Sequence, residues 1–141
     1  MPPARHLLAF VDSVGTIVVM DLPTPEVMRD LVKPLGAIER KVLGGLVAVW
    51  IAEPNKVRDR EWTSQQFVHL ATVAHGFAED DQPASTEEVE VVRRFATERM
   101  PTIVRIGFQL FARVAQDMQA REGFTFEDAQ ECVRGYLEAT G

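Results

Sequence analysis

Ala37-Ile38-Glu39-Arg40-Lys41-Val42-Leu43-Gly44-Gly45-Leu46-Val47-Ala48-Val49-Trp50-Ile51-Ala52 is the stretch on which the reading of this chain turns. Leu46 to Ala52 is apolar throughout and rich in β-branched residues, as a buried strand would be. Ile38 to Val42 carries three charges, which suits an edge strand protected from unwanted pairing. Gly44-Gly45 between them fits a two-residue hairpin turn. The alternative is one helix across 37–52. Two adjacent glycines inside a helix cost about 2 kcal/mol relative to alanine, so the sequence favours the hairpin.

Upstream, the pattern again suggests β structure. Leu7 to Val11 is apolar, Asp12-Ser13-Val14-Gly15 has turn chemistry, and Thr16 to Met20 is β-branched. Between the two hairpins lies a short helix. Thr24 is placed to cap it, Pro25 suits its first position, and Val27, Met28, Leu31, Val32 and Leu35 form one apolar stripe. Pro34 and Gly36 end it.

Downstream, residues 54–62 form a charged connector and residues 63–141 read as helical. Thr63 and Gln66 suggest a capping box, with Trp62 stapled onto Phe67. A second box opens at Ser85-Thr86-Glu87-Glu88, after an acidic loop over 79–83. Met100-Pro101 predicts a break. A strongly apolar helix then runs from Pro101 to Glu122, and a last helix begins near Thr125. The expected fold is therefore α+β. An N-terminal antiparallel sheet of about four strands (two hairpins with one helix between, residues 1–53) packs on about four C-terminal helices, all within one domain spanning 1–141.

Composition narrows the function. The chain has 141 residues, Lys+Arg 15, Asp+Glu 21 and a single cysteine. A chain of this mass buries about two thirds of its unfolded surface, enough for one core without disulfides or metals. Residues 1–62 are electrically balanced, whereas 63–141 hold 7 basic and 13 acidic groups. Such a half repels nucleic acid and attracts basic surfaces. No stretch approaches the ~20 apolar residues of a membrane span, and no signal-peptide pattern is present. The reading is cytoplasmic, with no membrane partner and no direct nucleic-acid contact.

No catalytic pattern emerges. His69 and His75 are six residues apart and cannot share a metal from one helix. Cys132 sits on an apolar stripe, where a thiol is inert. Ser13, Ser64 and Ser85 occupy turn or helix-start positions. Neither G-x-x-x-x-G-K-[ST] nor G-x-G-x-x-G, the glycine-rich phosphate-binding patterns, is present. Arg93 and Arg94 follow Glu90 at ion-pairing distance, which favours internal pairing over nucleic-acid contact. The sequence thus predicts no catalytic residue, cofactor or metal.

The expectation is a non-enzymatic regulatory or assembly protein that contacts a larger protein, for instance an acidic modulator docking on a nucleic-acid-processing machine such as a transcription complex. Its contact patch is Trp50, Lys56, Arg58, Arg60 and Trp62, since Trp and Arg are enriched at binding hot spots. The alternative is a small-molecule-binding domain or an enzyme of unrecognised type, with a pocket between sheet and helices near Trp50, Arg105, Gln109 and Arg113. A homodimer through the Pro101–Glu122 helix is a third expectation.

Overall fold

A computed structural model describes residues 7–11, 17–21, 24–77, 85–120, 123 and 125–138. The body is built from five helices: α1 (Pro25–Val32), α2 (Ala37–Ala52), α3 (Arg60–Ala74), α4 (Thr86–Ala120) and α5 (Phe126–Glu138). A short 3-10 turn, Pro54–Lys56, joins α2 to α3. The β structure among the described residues is one antiparallel ribbon. Its strands β1 (Leu7–Val11) and β2 (Ile17–Asp21) pair with Ala9 opposite Val19.

The α+β expectation is therefore incorrect. Residues 37–52 form a single helix, so the second hairpin does not form, and the described residues hold no four-stranded sheet layer for the helices to pack on. The reason lies in which side chains are buried. Val42, Leu43, Leu46, Val47, Trp50 and Ile51 are all buried, in adjacent pairs four residues apart. That is the repeat of a helix face, whereas a strand would alternate. The glycines have a packing role rather than a turn role. A Cβ on Gly44 would lie 2.8 Å from Leu137 Cδ1 of α5, and one on Gly45 would lie 2.6 Å from Leu70 Cδ2 of α3. Their bare backbone lets α3 and α5 approach α2 closely, and that burial offsets the propensity cost.

Two further expectations need correction. Asp59, not Thr63, caps α3: its Oδ1 accepts from Trp62 N at 3.0 Å, and the helix begins four residues earlier than the Thr63–Gln66 box implies. Helix α4 also continues through Pro101 for 35 residues without a break at Met100. Local cap chemistry elsewhere agrees with the sequence. Thr24 Oγ1 accepts from Val27 N at 3.2 Å. Ser85 and Glu88 exchange two bonds, at 2.9 and 3.2 Å, in a reciprocal box. Thr125 and Asp128 do the same.

One apolar cluster unites the helices. Met28 and Val32 of α1, the α2 residues above, Phe67 and Ala71 of α3, Val92, Ala96, Ile103, Ile106, Leu110, Phe111 and Val114 of α4, and Ala129 and Val133 of α5 all belong to it. Trp50 is its largest fully buried side chain. The expected Asp12–Gly15 turn and the acidic loop over 79–83 lie outside the described residues.

Candidate functional site

The connector after α2 is shaped by three local devices. Pro54 opens the 3-10 turn, Val57 drops into the core at 2% exposure, and Asp59 caps α3. Between these anchors, Arg58 and Arg60 are left exposed. They form one rim of a groove of about 570 Å³, to which Thr63 and Ser64 in the first turns of α3 also contribute. Val57 and, from α4, Met100, Pro101, Val104 and Phe108 supply its apolar walls. Among the described residues, no carboxylate lines the groove and neither arginine has an acidic partner.

The apolar wall is held rigid from behind. Phe108 stacks on Trp50 with ring centroids 5.0 Å apart and planes within 5°. Phe111 meets the same indole edge-on at 6.3 Å. Trp50 Nε1 donates to Thr63 Oγ1 at 3.4 Å, which ties the indole to the rim helix. A buried indole N–H needs such a partner. Gly107 permits the approach, since a Cβ there would lie 2.9 Å from Trp50 Cζ3.

The residues singled out as a contact patch thus occupy different environments. Trp50 is fully buried and reaches the groove only through Phe108. Trp62 is half-buried against the core. Lys56 lies 3.9 Å from Asp59, a loose exposed pair. Arg58 and Arg60 remain as the two free cations of the patch. In the sequence, Met100-Pro101 has no role beyond an expected break, and neither Val104 nor Phe108 is placed at a contact site, because their position opposite Arg58 is set by tertiary packing.

A pocket between sheet and helices is not what forms this groove: helices and connector line it. Of the residues expected there, Arg105 is exposed, and Gln109 Oε1 and Arg113 Nε are buried without hydrogen-bond partners. His69 is exposed, and His75 is half-buried, with its Nδ1 2.6 Å from the Ala71 carbonyl and its ring stacked on Phe77. Arg93 pairs with Glu90 at 2.8 Å. Among the described residues, no group of three or more His, Cys, Asp or Glu is placed to hold a metal, and no helix is long and apolar enough to cross a membrane.

A second groove, of about 740 Å³, lies between α2 and α5. Compared with known proteins, the chain matches no family model, no curated protein and no solved structure.

Proposed function

We propose that the protein is a non-enzymatic binding module that docks an acidic segment of a partner protein, anchored by an apolar side chain, in the groove between the connector and α4. The observation that carries this reading is the pairing of two unneutralised arginines, Arg58 and Arg60, with an apolar wall of Val57, Met100, Val104 and Phe108. Arginine forks suit carboxylates, and an aromatic floor suits an apolar anchor. The rigid Trp50 backing means that little ordering is needed on binding.

Selection from a displayed peptide library tests the reading. Enriched peptides should carry Asp or Glu flanking an aliphatic or aromatic residue. The double variant Arg58→Glu/Arg60→Glu should retain its fold by circular dichroism and bind those peptides at least tenfold more weakly, about 1.4 kcal/mol. Equal binding by the variant, or enrichment without acidic residues, would overturn the proposal.

A further inference from the structure

The groove between α2 and α5 is separate from the docking groove and stands on other residues. Its apolar lining comes from Leu35, Gly44 and Ala48 on one side and Val133 and Leu137 on the other. The α2 side of the lining is built of small residues: Ala48 adds only a methyl, and Gly44, against which Leu137 packs, adds no side chain of its own. From Ala37 to Ala48 the lining follows three turns of α2, about 16 Å. A volume of about 740 Å³ lies within the ~300–1,000 Å³ typical of small-molecule sites.

One end of this groove is cationic, and its central group is fixed in place. Arg40 donates from Nε to the Leu35 carbonyl at 3.0 Å and from Nη2 to the Lys33 carbonyl at 3.1 Å. Its Nη1 donates to the Leu137 carbonyl at 3.3 Å. The guanidinium therefore closes the ends of α1 and α5, where helix dipoles favour a cation. All three acceptors are main-chain oxygens, and none is a carboxylate. A guanidinium has five N–H donors, so two remain, on a group already ordered at the groove wall. Lys41 is exposed beside it and has no ion-pair partner among the described residues. Arg134 also lines the groove, although Glu131 lies 3.4 Å from it. Among the described residues, the one acid in the lining is Glu138.

We infer that this groove binds a small amphiphilic anion, a single aliphatic chain ending in a carboxylate or phosphate, with its head at Arg40 and Lys41 and its tail along Gly44, Ala48 and Val133. The head meets a preordered charge, so little side-chain entropy is lost, and the tail removes apolar lining from water.

The test uses the full chain, labelled with nitrogen-15, titrated with sodium dodecanoate below its micelle threshold. Parallel titrations use dodecanol, inorganic phosphate and vesicles of anionic phospholipid. The expected result is saturable binding of one dodecanoate per chain, with amide shifts centred on Gly44, Ala48, Val133 and Leu137. Dodecanol and inorganic phosphate should each bind at least tenfold more weakly, since each lacks one half of the ligand. Lys41→Glu, at an exposed position, should weaken dodecanoate at least tenfold, and Ala48→Phe should block the tail. Shifts centred on Val104 and Phe108 would place the ligand in the other groove and overturn the inference. So would equal binding of dodecanol, binding unchanged in Lys41→Glu, or a response to vesicles without one to monomeric dodecanoate.

Discussion

A methyl group added at Gly107 would meet the Trp50 ring at 2.9 Å, and that ring has nowhere to go. It is stacked on Phe108, meets Phe111 edge-on and is hydrogen-bonded to Thr63. Overpacking a rigid core costs about 1–3 kcal/mol, against a helix-propensity gain of about 1 kcal/mol. Gly107→Ala should therefore destabilise by up to about 2 kcal/mol. Gly45→Ala makes the closer approach, 2.6 Å, but to the far end of the half-buried Leu70 side chain, which can change rotamer. A shifted rotamer costs about 0.5–1.5 kcal/mol, so the two terms nearly cancel and the midpoint should hardly move. Gly135 in α5 faces open space, and Gly135→Ala should stabilise by about 0.5–1 kcal/mol. Gly76 is different again. At φ +78° it ends α3 in a Schellman motif, with Phe77 N bonded to the Thr72 carbonyl and Gly76 N to the Val73 carbonyl. Gly76→Ala should cost about 1–2 kcal/mol. Urea unfolding of the four variants checks the ranking; the same sign at Gly107 and Gly135 would contradict the packing described. Glycine identity alone cannot distinguish these cases, and for that reason Gly44-Gly45 looks like a turn in the sequence. Its meaning depends on Leu70 and Leu137, which are remote along the chain.

Elements were legible where their signals are local. Thr24, Ser85 with Glu88, and Thr125 each act within four residues, and each helix start they mark is present. Pro101 is the counterexample. Proline removes the N–H that would bond the Thr97 carbonyl and crowds the preceding turn, so a helix end is the natural reading. Yet α4 runs on, because packing on both sides of Pro101 outweighs the local cost: Val92 and Ala96 before it and Ile103 and Ile106 after it are all buried in one cluster. Pro101→Ala should then raise stability by about 1–3 kcal/mol and leave far-UV ellipticity unchanged, since the helix is already continuous. A gain in ellipticity would show that the helix breaks at Met100 in the parent protein. The same reasoning explains why half of the groove beside Arg58 is hidden in the sequence. Arg58 and Arg60 announce themselves as a charged connector, whereas Met100, Val104 and Phe108 read as ordinary helix interior until α4 is laid against α3.

For the whole molecule, the decisive fact is where the apolar residues of 101–122 go. Their density suggested a helix that pairs with its twin. In the folded chain Ile103, Ile106, Leu110, Phe111 and Val114 are all buried against the molecule's own helices, at 0–4% exposure. These five leave little apolar surface to drive a two-fold contact, and what the helix still offers is the groove wall of Val104 and Phe108. Because one cluster runs from Met28 to Val133 through all five helices, the body should also unfold as a unit. Trp50, fully buried at its centre, reports tertiary packing, and far-UV ellipticity reports the helices. The two transitions should coincide. A monomer's midpoint does not depend on protein concentration, whereas a dimer's rises with it by mass action. Thermal unfolding over a hundredfold concentration range should therefore give one midpoint, with a light-scattering mass near 15.8 kDa. A midpoint that climbs with concentration, or a doubled mass, would mean that a face outside the described core joins two copies. The grooves beside Arg58 and Arg40 would then be the first surfaces to test for protection on association.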